Sequence, residues 1–244
     1  MTSRPFHHCG EPFNLLSIEW ERSDRILVLA PHPDDFDVIA VTLRHFHHNG
    51  NPLNVAVARG GSGVDDDYPG AKDADSKAEL RCEEQLSSLR YFGLPLECLT
   101  FVDMENDREG QMIDSYFNFD TVEGLLRKFE PNIVFLPHGN DTNSAHRAMY
   151  RHVSDALQCM PVKPLALLVC DPKTIAMRID LYTPFDREDA EWKAQMLRLH
   201  DTQQQRNLRK RGKGFDERIL DVDRIAATKL NLYLPFAETF EIHH

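Results

Sequence analysis

Short aliphatic runs alternate along the chain with longer amphipathic stretches, and that alternation sets the expected architecture. Ile26-Leu27-Val28-Leu29-Ala30 is an unbroken apolar run of strand length, followed from Asp37 to His48 by a helical pattern. Leu53 to Ala58 predicts a second strand, which leads into the turn Arg59-Gly60-Gly61-Ser62-Gly63. A long helix is expected from about Asp73 to Phe92, with Gly93 as its stop. Leu99 to Val102 is a third strand, and Thr121 to Phe129 another helix. Ile133 to Leu136, entered through Pro131, is a fourth strand, followed by a helix from about Ser144 to Leu157. Beyond Pro164 come two more strand-like runs, Leu165 to Cys170 and Ile175 to Tyr182. A polar helix from about Arg187 to Gln205 and a last helix near Val222 to Leu230 complete the pattern. Strands alternating with helices imply right-handed βαβ units, hence an α/β fold: a doubly wound, mostly parallel sheet with helices on both faces.

The 244 residues suit one large domain, 1–244, and the 41% of hydrophobic residues suffice for an ordinary core. No repeat or low-complexity tract interrupts it. The longest apolar runs are too short to span a bilayer, and the N-terminus lacks the apolar segment of a signal peptide. Five scattered cysteines, Cys9, Cys82, Cys98, Cys159 and Cys170, form no Cys-x-x-Cys pair, a pattern of reduced thiols in a cytoplasmic protein. A formal net charge of -11 disfavours nucleic acid and anionic membranes as partners. One stretch runs against it: Arg206, Arg209, Lys210, Arg211 and Lys213, punctuated by Gly212 and Gly214. Its plain reading is a solvated surface loop, and its sharper reading a lid or patch that steers an anionic substrate.

Two segments carry candidate chemistry. Ala30-Pro31-His32-Pro33-Asp34-Asp35-Phe36-Asp37 falls where the first strand ends, and Pro137-His138-Gly139-Asn140-Asp141-Thr142-Asn143-Ser144-Ala145-His146-Arg147 falls where the fourth ends. Open parallel sheets place their sites beyond the carboxyl ends of the strands. In a doubly wound sheet the first and fourth strands can be neighbours across the switch point, and both segments would then face one crevice. Three protein ligands of imidazole and carboxylate type are the usual set of a catalytic zinc site, and Fe(II) accepts the same donors. Gly60-Gly61-Ser62-Gly63 lacks the register of a dinucleotide loop and is read as a turn that lets backbone approach the crevice. Asp65-Asp66-Asp67 beside it is read as a solvated loop, with calcium binding the lesser alternative.

These motifs together resemble the LmbE-like (PIG-L) family of zinc-dependent N-acetylglucosaminyl deacetylases. The family's opening Pro/Ala-His-Pro-Asp-Asp-Glu is matched through Asp35, and its closing Asp-His-Arg at His146 and Arg147. Arg81 and Glu84, with Leu89 and Gly93 after them, resemble its Arg-x-x-Glu helix. Lys193 to Gln203 resembles its Lys…His-x-Ser/Thr-Gln segment, and Ala237-Glu238-Thr239-Phe240 is a further echo. The resemblance runs from about Arg25 to Gln203 and implies a Rossmann-like fold that hydrolyses an N-acyl group, usually acetyl, on a small sugar-like amine. It implies His32, Asp35 and His146 as ligands of Zn2+ (or Fe2+) and Asp34 as general base.

Three positions depart from the family pattern. Its Glu after Asp-Asp is Phe36 here, with Asp37 one residue later, and its second-motif His-Pro-Asp-His reads Asn143-Ser144-Ala145-His146. The histidine that would stabilise the oxyanion and its paired aspartate are therefore replaced. Asn143 and His138 are the candidates for that role, with His200 as a further one. The altered motif also supports a rival reading, a metal- or sugar-binding protein of weak turnover on the same scaffold. Substrate identity is not legible, and a homo-oligomer is left open.

Overall fold

Ile26–Ala30 is buried along its whole length, yet its side chains divide between two cores. Ile26, Val28 and Ala30 join one apolar cluster, and Leu27 and Leu29 join another on the opposite face. Ile133 and Phe135 against Val134 and Leu136 repeat the division. A strand's two-residue side-chain period produces that split only in a sheet covered on both faces.

The computed structural model describes residues 10–243; Cys9 and the terminal histidines His7, His8 and His244 lie outside the described residues. The strands are β1 (Phe13–Asn14), β2 (Ile26–Ala30), β3 (Leu53–Ala58), β4 (Leu99–Val102), β5 (Ile133–Pro137), β6 (Leu165–Val169), β7 (Leu181–Phe185) and β8 (Phe236–Ile242). They form one sheet in the order β1-β7-β8-β6-β5-β2-β3-β4. Among the described residues, β8 alone runs against its neighbours, β6 and β7. The chain winds outward from β2 through β3 to β4, then returns to β5 beside β2 and winds the other way to β6. The doubly wound, mostly parallel α/β sheet expected from the sequence is present, with its switch point between β2 and β5.

The helices are α1 (Ala40–Asn49), α2 (Ala74–Phe92), α3 (Tyr116–Phe129), α4 (Ser144–Cys159), α5 (Arg187–Arg198), α6 (Asp201–Arg211) and α7 (Phe215–Lys229). Leu43, Phe46, Leu89, Phe92, Leu197 and Ile219, from α1, α2, α5 and α7, fill the first core. Val122 and Leu126 of α3 and Met149 and Val153 of α4 fill the second. Local chemistry sets the ends of α2. Asp73 and Ser76 form a reciprocal capping box, and Gly93 at φ 90 closes the helix in the left-handed conformation. No helix among the described residues is long and apolar enough to cross a membrane. The four described cysteines are free.

Several boundaries differ from the sequence pattern for identifiable reasons. Asp37–Ile39 is a 3-10 turn ahead of α1. Ile175 to Asp180 is not a strand: Ile175 is exposed, and Arg178 is bonded to Asp180 at 2.6 Å, so pairing starts at Leu181 opposite Phe240. The polar helix predicted from Arg187 to Gln205 breaks at Leu199 and His200, where the His200 ring turns inward. The basic stretch is not a loop but the end of α6, which runs to Arg211 and stops at Gly212 with φ 68. Its charged residues carry no apolar period, yet nothing before Gly212 breaks a helix. The Asp65-Asp66-Asp67 loop is engaged by cations rather than simply solvated. Asp65 and Asp67 meet Arg209 at 2.6 Å each, and Asp66 pairs with Lys77.

Candidate metal centre

The turn after β2 and the segment after β5 emerge side by side, because Val28 is in register with Phe135. Residues more than a hundred positions apart thereby share one crevice at the switch point. His32, Asp35 and His146 each offer a ligand atom there, all within 4.8 Å of one another. His32 Nδ1 lies 3.3 Å from His146 Nε2. The Asp35 carboxylate lies 3.3 Å from the first nitrogen and 3.4 Å from the second. Ligands at about 2.1 Å from a tetrahedral zinc stand roughly 3.4 Å apart along the edges. The two nitrogens stand at that spacing, and the carboxylate presents one oxygen to each of them at the same range.

The outer partners fix which ring nitrogens face inward. His32 Nε2 is 3.1 Å from Gln111 Oε1, and His146 Nδ1 is 3.1 Å from Asp141 Oδ2 and 3.5 Å from Asp171 Oδ2. These oxygens only accept, so the protons sit on the outer nitrogens and the lone pairs of Nδ1 and Nε2 point at each other and at a carboxylate. That convergence requires a positive charge at its centre. Burial alone would lower His146, but Asp35, then hydrogen bonds from Asp141 and Asp35, push it up to about 10. Burial lowers His32. Asp35, despite its own burial, is held well below the usual carboxylate range by His146 and His32. A divalent cation satisfies the same demand, and the donor set fits one.

Asp34 stands apart from the ligand group. It lines the open crevice, its Oδ2 accepts from Arg81 at 2.7 Å, and its backbone N–H donates to Gln85 at 3.0 Å. Its φ of 118 is one that a residue with a side chain rarely adopts. Arg81 is buried and also donates to the carbonyls of Pro33 and Ser62, tying the glycine turn after β3 to the ligand turn.

The second motif has a different layout from its sequence reading. Asn143 is the N-cap of α4: its Oδ1 accepts from Ala145 N at 2.9 Å, which leaves its Nδ2 amide available. His138 is taken up on both nitrogens, by Glu241 at 3.3 Å and by Asn140 N at 2.8 Å, and does not join the ligand group. His200 is fully buried and bonds Asp37 at 2.8 Å. Three partners of the centre escaped the sequence reading. Asp171 follows β6 directly, so the rule that sites lie at strand carboxyl ends would have found it. Asp141 stood within the second motif. Gln111, in the excursion between β4 and α3, carried no signal.

The family model described as PIG-L, GlcNAc-PI de-N-acetylase, matches residues 27–157, more than half the chain and both ligand segments. The chain belongs to the PIG-L family. No curated protein sequence matches it. Among solved structures it is similar to N,N'-diacetylchitobiose deacetylase from Pyrococcus horikoshii in complex with an inhibitor. That likeness has TM-score 0.73 at 16% identity, over 93% of this chain and 88% of that one. It is also similar to a zinc-inhibited form of teicoplanin deacetylase, with TM-score 0.60 at 14% identity over 90% and 98% of the two chains. A hydratase shares the fold: GalB, the 4-carboxy-2-hydroxymuconate hydratase of Pseudomonas putida, with TM-score 0.66 at 14% identity over 91% and 96%.

In this PIG-L chain Glu84, Lys193, Glu238 and Phe36 tie elements of the fold together. Glu84 accepts from Thr202 N at 2.6 Å and Thr202 Oγ1 at 2.7 Å, holding the start of α6. Lys193 is buried between Asp223 at 2.7 Å and Glu238 at 2.9 Å. Glu238 in turn accepts from the Val41 and Thr42 amides at 3.0 and 2.8 Å. Phe36, in the place of the family's Glu, is a fully buried core residue against Phe92.

Proposed function

We propose that this chain is a metal-dependent N-deacetylase that removes an acetyl group from a small amino-sugar-like amide. The observation that carries the reading is the division of labour between adjacent carboxylates: Asp35 in the ligand group, Asp34 outside it and facing the crevice. His32, Asp35 and His146 would hold Zn2+, and Fe2+ suits the same donors. Bound there, the metal supplies Lewis acidity, which acidifies water and polarises an amide carbonyl. Asp34, held by Arg81 and Gln85, takes a proton from the attacking water and returns it to the leaving amine. The Asn143 amide is the candidate donor to the developing oxyanion, with His138 the alternative. The free thiols fit a cytoplasmic setting.

The test compares two isosteric changes. Asp34→Asn retains the metal and lowers acetate release from N-acetylated sugars by roughly 10²–10⁴-fold. Asp35→Asn loses metal and activity together. Equal metal loss in the two variants reverses the assignment. Full metal retention in wild type with no acetate from any N-acetylated amine supports instead the weak-turnover binding protein, or water addition of the kind GalB performs.

A further inference from the structure

The basic stretch that the sequence pattern left as a surface loop forms one wall of the crevice. Gln203, Arg206, Asn207 and Lys210 stand three and four residues apart on α6 and so share one helix face. Arg211 on the same helix, Arg218 on α7 and Lys173 after β6 line the same space, which they share with the carboxylates of Asp34, Asp35 and Asp171. The crevice is open to solvent, with about 650 Å³ of space against these residues, solvent at its mouth included.

The charge there is not balanced from within. Asp65 takes Lys210 at 2.8 Å, Arg209 at 2.6 Å and the edge of Arg206 at 3.5 Å, so one carboxylate answers three cations, with Asp67 adding a second contact only to Arg209. Arg206 Nε is buried without a hydrogen-bond partner among the described residues. Arg211, Arg218 and Lys173 pair with no carboxylate among the described residues; Arg218 reaches only the Asn207 amide oxygen, at 2.6 Å. Burial, then the like charges of Arg211 and Arg206, lowers the Arg218 guanidinium below its ordinary value, and the nearby Asp171 only partly offsets them. In a chain of net charge -11, concentrating unpaired cations on one crevice wall opposes the whole-molecule trend. Crowded cations, of which Arg218 is half-buried, destabilise the free protein and are stabilised when an anion enters.

We propose that the substrate carries an anionic group, a phosphate or a carboxylate. Arg211, Arg218 and Lys173 bind it while the N-acetyl end lies at Asp34 and Asp35. The anion site stands on this wall alone; its joining to an acetamide rests on the deacetylase reading. Calorimetry on zinc-loaded protein separates the two. Probes are N-acetylglucosamine, its 1- and 6-phosphates, N-acetylmuramic acid as the carboxylate arm, and inorganic phosphate. At least one anionic sugar binds about tenfold or more tightly than N-acetylglucosamine, and the advantage shrinks in high salt. The double variant R211Q/R218Q loses that advantage while metal content and affinity for neutral N-acetylglucosamine persist. Equal affinity for neutral and anionic sugars, no binding of any anion, or an advantage that survives R211Q/R218Q overturns the proposal. Anion preference without acetate release from any probe leaves the wall intact and overturns only the deacetylase reading.

Discussion

Asp141 offers the cleanest perturbation of the proposed metal centre that leaves every proposed ligand in place. Its Oδ2 lies 3.1 Å from His146 Nδ1 with the side chain 1% exposed, while its Oδ1 accepts from Asn143 N at 2.6 Å. Asp141→Asn preserves shape and an acceptor oxygen for that backbone contact, but removes the charge and turns an NH2 donor, in place of the accepting oxygen, toward His146 Nδ1. Partners of this kind, which set ring tautomer and basicity, are typically worth about 10–100-fold in metal affinity, or roughly 1.4–2.7 kcal/mol. The structure places this site at the low end of that range. Asp171 Oδ2 stands 3.5 Å from the same nitrogen and can take over the proton on Nδ1. Asp141→Asn should therefore weaken zinc by about tenfold, and Asp141→Asn with Asp171→Asn by nearer a hundredfold. Competition against a chromophoric chelator at fixed pH reads the difference. Retention of the wild-type fold by circular dichroism in the loaded variants excludes a collapse of the α4 start. Zinc affinity within twofold of wild type in the double variant would refute the claim that these carboxylates orient His146.

Three further outcomes follow from the same geometry. Lys193→Met strands Asp223 and Glu238 as buried carboxylates without their cation and should cost about 3–5 kcal/mol in urea unfolding; a loss below about 1 kcal/mol would show the cluster to be hydrated. His200 titrates above its ordinary 6.5, because Asp37 outweighs burial. A raised folded-state value means this stabilisation is complete below the unfolded value and is lost as pH rises through the folded one. Urea midpoints should decline along that rise in wild type but not in His200→Gln, and parallel declines sink the assignment. Asn143→Ser keeps an N-cap oxygen and drops the amide, so turnover should fall roughly 10²–10³-fold with metal and stability retained. His138→Asn is the matched control, and a loss there without one at Asn143 moves the oxyanion role to His138.

The strand alternation and the two candidate ligand segments were legible because parallel strands buried on both faces read as unbroken aliphatic runs, and because chemistry gathers at their carboxyl ends. What escaped did so for physical reasons. β8 pairs antiparallel, and its Glu238, Thr239 and Glu241 interrupt the apolar run that a buried strand should show. Glu238 is buried because Lys193 and the α1 amides consume it, and Glu241 meets His138 and Arg178, partnerships only the fold creates. Arg206 to Arg211 hid as a loop because a helix face turned toward a polar crevice has no apolar period to display. His200 read as a residue of an exposed polar helix because the α5–α6 break, which buries its ring, leaves no glycine or proline in the sequence.

The conserved-looking spacing of the family motifs has a mechanical basis that the ligand roles alone do not supply. Asp34 at φ 118 is a strained position, and strain at a reactive residue persists only where surrounding contacts over-determine it. Here Gln85 accepts from Asp34 N and donates to Asp37 Oδ2 at 3.2 Å, while Ser88 holds Asp37 Oδ1 and His200 holds Asp37 Oδ2. Arg81 grips the Pro33 carbonyl and the Asp34 carboxylate from the same helix. Three turns of α2 and the start of α6 therefore clamp the two ends of one four-residue turn. Asp37, which stands one residue beyond the family's acidic position, anchors the far end of that clamp, and Phe36 is released to fill the core. The position that looked like a damaged motif thus places an apolar side chain in the core, with the acid supplied by the next residue at the far end of the turn.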